Sequence, residues 1–371
     1  MTPSSGVGSC VLTGLRIGLV GPLPPPSGGM ANLTRQLAEL LAAEDAVVTW
    51  VPVNAPYRPR WVARVPVLRA VFRLLPYWVA LWRVAGQCDI FHVMANSGWS
   101  WHLWAAPAIW VAHWRGVAVV VNYHGGEAAQ FLQHAHRVVR LTLRQRSVLV
   151  VPSEFLADVF NRFDLASDIV PNVIDLGRFP PRHPVRAGAP HLLVARNLEP
   201  IYDIDTALRA FQLVREDFAD ARLTVAGSGP EAQRLHQWVD AQGLSGVVHL
   251  TGRLEREAMA ALYRSADLVL NPSRVDNMPL SILEAWSSGV PVVSTDVGGI
   301  AYLAQDGVNA SLVAPADPSA MARACVALLS DEALWQQRAQ AGLQAVQRYT
   351  WARVQPVLKS AYQRALKQAL H

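Results

Sequence analysis

The sequence predicts an α/β protein of two domains, each built on a parallel β-sheet that helices cover on both faces. Short apolar runs typical of buried strands alternate with amphipathic helical segments, which is the pattern of parallel sheets. A chain of 371 residues exceeds the usual size of a single domain. A proline-rich segment, residues 178–191, separates two sets of these units and is the predicted linker.

The predicted N-terminal domain covers residues 14–180. Its first strand runs into a loop with Gly28 and Gly29, which leave backbone N–H groups open to an anion or a sugar. The loop lacks the full G-x-G-x-x-G fingerprint, so the glycine pair is weak evidence by itself. His124 ends a later strand, where polar residues face the ligand side of such a sheet. The predicted strands of this domain are 15–20, 46–53, 89–94, 117–124 and 148–151.

The predicted C-terminal domain, residues 190–350, repeats the order of strand, loop and helix. Arg196 comes directly after its first strand, and Arg253 comes after a later one. The last helical segment, residues 351–371, is long enough to return to the N-terminal domain.

Residues 266–299 are the most informative stretch of the chain. Strands are predicted over 267–270 and 290–295, with a helix between them that starts near Pro279 and ends at Gly289. Ser281 and Glu284 have capping-box spacing. A helix N-terminus at the carboxyl edge of a parallel sheet binds phosphate-bearing ligands. Asp276 and Glu284 are expected to place two carboxylates in the same crevice.

Composition excludes several classes of protein. A hydrophobic content of 51% supports full cores, and no apolar run is long enough for a membrane-spanning helix. Three widely spaced cysteines predict neither a disulfide framework nor a metal site, which fits a reducing cytoplasm. The first residues lack the features of a signal peptide. The sequence therefore predicts a cytoplasmic protein without a metal site.

The net charge of +5 is concentrated in residues 57–85, which contain no acidic residue. Five aromatic residues are interleaved with the arginines, namely Trp61, Phe72, Tyr77, Trp78 and Trp82. The stretch suits an anionic membrane surface, and no nucleic-acid-binding motif accompanies it. The alternative is a solvated arginine face on a helix that packs its tryptophans inward. Tryptophans 99–114 are expected in the core more than in an acceptor platform. The arginines are Arg58, Arg60, Arg64, Arg69, Arg73 and Arg83.

An ordered set of motifs resembles the family-four retaining glycosyltransferases of the GT-B fold. The resemblance covers nearly the whole chain and implies two Rossmann-like domains that face each other across a cleft. It implies that the N-terminal domain binds the acceptor and the C-terminal domain a nucleotide-diphosphate sugar. The motifs, in family order, are VPSEFL, VPNVIDLGRF, LTVAGSGPE, TGRL, SADLVLNPS, LEAWSSGVPVVSTDVGG and LVAPAD.

The resemblance also implies roles for residues around the donor diphosphate. Arg196 matches the arginine that binds the diphosphate in similar enzymes. The family's lysine is replaced by Tyr202, which can donate a hydrogen bond but carries no charge. Either Arg196 and backbone amides suffice for the diphosphate, or Arg253 contributes. Enzymes of this kind use cationic groups and helix N-termini in place of a metal ion.

The sugar and ribose contacts follow from the same resemblance. Glu284 matches the glutamate that binds the ribose hydroxyls, and Asp276 replaces the family's other glutamate beside the donor sugar. His124 matches the histidine that contacts the transferring sugar. Further donor contacts are implied for Asn277, Met278, Pro279, Leu280, Gly298 and Gly299.

These observations predict a metal-independent retaining hexosyltransferase without a cofactor. It would move a sugar from a UDP- or GDP-sugar to a lipid-linked or saccharide acceptor, in cell-envelope or exopolysaccharide assembly. Its expected location is the cytoplasm, peripheral on the inner face of the membrane. The departures at Tyr202 and Asp276 leave open a non-catalytic sugar-nucleotide-binding scaffold. A phosphorylase or nucleotide-sugar epimerase on the same fold is a third alternative.

Overall fold

The computed structural model describes residues 12–24, 28–55, 66–143, 146–181 and 188–370. The chain divides into two compact units: unit 1 is Met1–Pro171 with Gln355–His371, and unit 2 is Asn172–Val354. The last helix therefore belongs to unit 1 from Gln355 onward. Residues 56–65, which include three of the predicted membrane-facing arginines, lie outside the described residues.

Unit 1 is built on a six-stranded parallel sheet of order β2-β1-β3-β4-β5-β6. The five strands predicted from apolar runs are confirmed, with no boundary shifted by more than one residue. The sixth strand has only two residues, which is too short to give a sequence pattern. The strands are β1 Arg16–Gly21, β2 Val47–Pro52, β3 Ile90–Ala95, β4 Ala118–Tyr123, β5 Ser147–Val151 and β6 Asp168–Ile169.

Helices cover both faces of this sheet because its strands are apolar on both sides. On one face, Phe91 and Val93 of β3 pack in the main core with the four helices that follow β2 through β5. On the other face, Leu19 and Met94 pack on the first helix. There, His92 Nδ1 lies 2.9 Å from the hydroxyl of Tyr362 in the last helix. The helices are α1 Gly29–Ala42, α2 Pro66–Ala85, α3 Ala106–Trp114, α4 Ala128–Leu143, α5 Glu154–Asn161 and the last, α13, Trp351–Ala369.

The tryptophan-rich segment is divided as Pro107 requires. A π-helical segment, Trp101–Ala105, comes directly before α3, and Pro107 lies in the first turn of α3. Proline has no N–H to donate, so the helical hydrogen-bond ladder changes register at this point. Trp101 is fully buried, whereas Trp99 and Trp114 are 77% and 65% exposed. The expectation that these tryptophans lie in the core is therefore right for only part of the set.

Unit 2 contains the second six-stranded parallel sheet, of order β12-β11-β10-β7-β8-β9. This is the 3-2-1-4-5-6 order of dinucleotide-binding domains, read from the other edge. The order reverses between β7 and β10, which pair with each other although they are distant in sequence. The strands are β7 His191–Ala195, β8 Arg222–Ala226, β9 Val248–Gly252, β10 Leu268–Asn271, β11 Val292–Thr295 and β12 Ser311–Val313.

The helices of unit 2 also pack on both sheet faces. One core contains Leu192 and Leu270, and the other contains Leu193 and Val269, so neighbouring residues of one strand point to opposite faces. The helices are α6 Ile204–Asp217, α7 Ala232–Ala241, α8 Arg256–Ser265, α9 Leu280–Ser287, α10 Ile300–Leu303, α11 Pro318–Ser330 and α12 Glu332–Ala345.

Candidate active site

Arg196 and Asp276 meet at the carboxyl edge of the unit 2 sheet. Arg196 follows β7 and Asp276 follows β10, so the two lie on either side of the point where strand order reverses. Ligands of open α/β sheets bind at this point. The Arg196 guanidinium donates to the Asp276 carboxylate, and the two side chains are only 10% and 11% exposed. The sequence predicted both residues for the donor site, and the structure shows that they form an ion pair.

Tyr202 packs its ring against the same guanidinium. The Arg196 Cζ lies 4.0 Å from the centroid of the Tyr202 ring, which is a close cation–π contact. Burial raises the pKa of the Tyr202 hydroxyl, so the side chain is neutral at physiological pH. Tyr202 therefore contributes an aromatic surface that fixes the Arg196 guanidinium, and it adds no positive charge.

The loops that carry Arg196 and Asp276 are joined by a second ion pair. Asp203 adopts a left-handed backbone conformation, with φ of 43°, directly after the 3₁₀ turn Pro200–Tyr202. Its carboxylate accepts from the Arg274 Nε at 2.9 Å and from the Thr206 hydroxyl at 2.9 Å. The Arg274 N–H also donates to the Ile201 carbonyl at 2.8 Å. These bonds hold the two loops together independently of the Arg196–Asp276 pair.

The Asp276 carboxylate has further hydrogen bonds within its own loop. It accepts from the Asn277 N–H at 3.0 Å and from the Ser273 hydroxyl at 3.3 Å. Burial raises the pKa of this carboxyl, while Arg196 and the loop donors act in the opposite direction. The Arg196 Nε is buried without a hydrogen-bond partner within the protein. A buried N–H without an acceptor, such as the Arg196 Nε–H, lowers the stability of the fold until a ligand accepts its hydrogen bond.

Helix α9 begins beside this loop, but the capping box predicted for it is wrong. Pro279 is the N-cap residue, and no side chain caps the helix. The hydroxyl of Ser281 is buried without a partner, and Glu284 does not reach back to the helix start. Because the N-cap position is occupied by Pro279, Ser281 is the second residue of the helix and cannot act as its cap. The first turn of α9 therefore keeps its partial positive charge available to a ligand.

Glu284 is bonded across to the neighbouring helix. Its carboxylate accepts from the Tyr263 hydroxyl of α8 at 2.7 Å, and the Tyr263 side chain is fully buried. Burial raises the pKa of Glu284 from 4.5 to about 7, and the Tyr263 hydrogen bond opposes that rise. Near neutral pH this side chain is thus an acid that can both donate and accept hydrogen bonds.

Gly298 and Gly299 approach the chain itself. A Cβ at Gly298 would lie 2.3 Å from the carbonyl oxygen of Asp276, and one at Gly299 would lie 1.8 Å from that of Asn277. The Gly299 N–H donates to the Asp276 carbonyl at 2.9 Å. The glycine turn after β11 therefore shapes the loop after β10. On the other side of that loop, the Asn172 amide donates to the Met278 carbonyl at 3.1 Å.

The other predicted residues of unit 2 lie farther along the same edge. Arg253 is exposed directly after β9, two strands away from β7. Gly227 and Gly229 lie at the end of β8, where a Cβ would come within 1.9 Å and 2.3 Å of the Arg196 and Leu198 carbonyl oxygens. These two glycines allow the loop that carries Arg196 to pack on its neighbour.

In unit 1, His124 and the glycine pair Gly28–Gly29 also lie at the carboxyl edge of the sheet. His124 follows β4, and burial lowers its pKa to about 4, so its imidazole is neutral at pH 7. Gly28 and Gly29 begin α1, and no atom lies within 4 Å of a Cβ built at either position. The described chain alone does not require glycine there.

Sequence analysis missed several residues that organise the site, namely Tyr263, Arg274, Asp203 and Asn172. Each makes its contact across a long sequence separation, from 21 residues for Tyr263 to 106 for Asn172. Asn172 lies in one of the family motifs and Arg274 in the stretch 266–299, but the sequence did not indicate the contacts that either residue makes. Among the described residues, no group of three His, Cys, Asp or Glu side chains forms a set of metal ligands.

Two family models match the chain in separate ranges. The model described as Glycosyltransferase Family 4 matches residues 27–178, and the one described as Glycosyl transferases group 1 matches residues 189–331. A phosphatidyl-myo-inositol mannosyltransferase of Mycobacterium leprae is 27% identical over 94% of this chain and 96% of its own length.

Solved structures of similar proteins show the fold. A sucrose-phosphate synthase from Thermosynechococcus elongatus superposes with a TM-score of 0.72 at 19% identity, over 94% of this chain and 98% of its own. Anabaena HepE in complex with UDP and glucose superposes with a TM-score of 0.71 at 17% identity, over 93% and 98%. The two parallel sheets, their strand orders and these matches agree. The chain is therefore a family-4, group 1 glycosyltransferase with the GT-B fold.

Proposed function

We propose that this glycosyltransferase is a retaining hexosyltransferase that takes its sugar from a UDP- or GDP-sugar. The observation that carries the proposal is Arg196, whose side chain is only 10% exposed and is held by Asp276 and Tyr202. Its buried Nε has no partner within the protein, and the uncapped N-terminus of α9 lies in the loop region of Asp276. A diphosphate is the ligand that satisfies both features, because it is anionic and rich in acceptor oxygens. HepE, which has the same fold, binds UDP and glucose.

In this proposal the leaving diphosphate is stabilised without a metal ion or cofactor. As the glycosidic bond breaks, negative charge grows on the diphosphate oxygens, and Arg196 with the α9 N-terminus bears that charge. Arg253, which is exposed after β9, contributes a further positive charge to the diphosphate. The backbone from Asn277 to Leu280 and the turn at Gly298 and Gly299 shape the wall against the donor.

The remaining polar residues bind hydroxyl groups. Glu284 binds the ribose, for which a carboxyl group near its pKa is suited because it can donate as well as accept. Asp276 binds donor-sugar hydroxyls once the diphosphate shares its arginine. His124 of unit 1, which is neutral at pH 7, exchanges hydrogen bonds with the transferring sugar.

The proposed acceptor is a lipid-linked or saccharide molecule of cell-envelope or exopolysaccharide assembly. The Mycobacterium leprae relative is named for a lipid acceptor, phosphatidyl-myo-inositol. Among the described residues, no helix has the length and apolar character needed to cross a membrane. We propose a cytoplasmic enzyme that is peripheral on the inner face of the membrane.

Calorimetry with UDP, GDP, ADP and their sugars tests the donor assignment. We expect one nucleotide to bind and Arg196→Ala to weaken it, whereas Arg209→Ala, an exposed arginine on α6, leaves binding unchanged. Binding that is equal in the two variants contradicts the diphosphate role of Arg196.

The alternative is a non-catalytic sugar-nucleotide-binding scaffold, which the Arg196–Asp276 pair favours because the Arg196 guanidinium already has a carboxylate partner within the protein. Purified protein that hydrolyses a UDP- or GDP-sugar slowly, with the activity lost in Arg196→Ala, excludes the scaffold. Nucleotide binding without any hydrolysis or transfer supports it.

A further inference from the structure

Helix α2 has a second apolar stripe that the core of unit 1 does not cover. Its inward stripe, Tyr77, Leu81 and Val84, is buried against the sheet. The outward stripe recurs at spacings of three and four residues, which places its members on one side of the helix. Its members and their exposed fractions are Phe72 40%, Leu75 62%, Val79 54% and Trp82 49%.

Helix α3 places two more exposed tryptophans beside this stripe. Trp110 and Trp114 are 37% and 65% exposed, although their neighbours Ile109, Val111 and Ala112 are buried. The rings of Trp114 and Trp78 of α2 are 6.2 Å apart, so the exposed sides of α2 and α3 adjoin. We call Phe72, Leu75, Val79, Trp82, Trp110 and Trp114 together the α2–α3 face.

Arginines accompany the α2–α3 face, and neither helix contains an acidic residue. The Arg115 guanidinium lies 4.9 Å from the centroid of the Trp82 ring, and Arg73 lies 5.9 Å from that of Trp104. Arg83 is exposed in the last turn of α2. Large apolar side chains thus lie next to positive charges, and neither helix carries a negative charge that would neutralise them.

We propose that the α2–α3 face docks on a lipid bilayer that contains anionic headgroups. Tryptophan is suited to the interfacial layer because its ring is apolar and its N–H is polar, and arginine extends from the same depth to phosphate groups. Leu75 and Val79 reach below the headgroups. The face includes α3, which the basic sequence pattern of residues 57–85 did not indicate.

The positive charge argues against a second copy of the chain as the occupant. A two-fold dimer contact places the same surface on both partners, so the basic face of one copy, with Arg83 and Arg115, would lie against the same basic face of the other. Uncompensated like charges across an interface are unfavourable. An anionic bilayer offers the complementary charge and an apolar layer in the same place. The inference rests on the peripheral membrane location proposed above and names the surface that makes the contact. It concerns unit 1 alone and does not depend on the donor assignment.

Vesicle flotation with the full chain tests this inference. Vesicles of phosphatidylcholine with roughly 30% phosphatidylglycerol are compared with pure phosphatidylcholine, since each arginine near an anionic surface contributes about fivefold to binding. We expect the chain to float with the anionic vesicles and at least tenfold less with the neutral ones. We expect R83Q/R115Q to lose about 25-fold in partition, and W82Q/W114Q to lose binding to both vesicle types.

The matched control is R209Q/R264Q, which removes two exposed arginines from unit 2. It should float like the parent chain. Circular dichroism and UDP calorimetry check that every variant is folded, so loss of nucleotide binding is distinguished from loss of membrane binding. Equal flotation of R83Q/R115Q and R209Q/R264Q overturns the proposal. So does a concentration-dependent dimer in sedimentation that W82Q/W114Q abolishes, because it identifies a second copy as the occupant.

Discussion

Replacement of Tyr202 by leucine is expected to weaken donor use while the fold is retained. The Arg196 guanidinium lies 4.0 Å from the Tyr202 ring centroid, and the arginine side chain is only 10% exposed. A desolvated cation–π contact contributes about 2 kcal/mol, compared with about 0.5–1 kcal/mol at an exposed site. Leucine fills a similar volume but lacks the aromatic face, so Tyr202→Leu should lose close to the larger value.

A loss of about 2 kcal/mol corresponds to a fall of about 30-fold in kcat/KM for the donor. The assay is the rate of donor hydrolysis or transfer as donor concentration varies, with thermal unfolding as a check on folding. Tyr202→Phe is the matched control, because it retains the ring and removes only the hydroxyl. We expect Tyr202→Phe to stay within about threefold of the parent enzyme.

Two results would refute this account of Tyr202. If Tyr202→Leu retains the parental kcat/KM, the ring does not position Arg196 for the donor. If Tyr202→Phe loses as much as Tyr202→Leu, the hydroxyl is the functional group, and Tyr202 acts as a hydrogen-bond donor to the ligand.

Three further predictions concern the same site. Gly299→Ala places a methyl group 1.8 Å from the Asn277 carbonyl oxygen, so it should lower the free energy of unfolding by about 1–3 kcal/mol, measured with denaturant. Gly29→Ala, where the added methyl group meets open space, should cost far less. Equal losses in the two variants would show that the structure relieves the contact at residue 299. Glu284 holds its proton more tightly in the folded chain, with a pKa of about 7 against 4.5, so its contribution to stability is full below pH 4.5 and declines as the pH rises through 7. From pH 5 to pH 8 the free energy of unfolding should fall by about 2.5 kcal/mol more in the parent than in Glu284→Gln. The same pH dependence in both proteins would contradict the raised pKa. Asp276→Asn removes the counter-charge of Arg196, whose side chain is only 10% exposed, and should destabilise the chain by about 3 kcal/mol. Saturating nucleotide should then raise the thermal stability of this variant more than that of the parent. An equal thermal shift in both would show that the diphosphate does not reach Arg196.

The sequence was a reliable guide to the sheets and to the sheet edge at which the candidate site residues lie. Apolar runs of four to eight residues identified every strand of unit 1 except Asp168–Ile169, because buried parallel strands are apolar throughout. Arg196, Asp276 and His124 all follow strands, and parallel strands end at the same edge of each sheet. Their placement at that edge therefore follows from their position in the sequence.

Contacts between side chains could not be predicted in the same way. The Tyr263–Glu284 hydrogen bond depends on how α8 and α9 pack, and no local pattern encodes that packing. Gly298 and Gly299 suggested a close approach, but the sequence did not reveal that the approaching atoms belong to residues 276 and 277. The exposure of Trp110 and Trp114 was also hidden, because α3 is apolar on all sides and periodicity cannot select its buried face.

The two departures from the family pattern have a common physical consequence at Arg196. The shorter carboxylate, Asp276, pairs directly with the guanidinium, and the tyrosine in place of lysine packs its ring against the same group. With a lysine there, the diphosphate would meet two positive charges, one of them unpaired. In the proposed donor site, the diphosphate would instead compete with Asp276 for Arg196, whose side chain is only 10% exposed and whose guanidinium packs on the Tyr202 ring. We therefore expect the fixed orientation of Arg196 to compensate for the absent lysine charge. For this reason donor use should depend more on the aromatic ring of Tyr202 than on its hydroxyl.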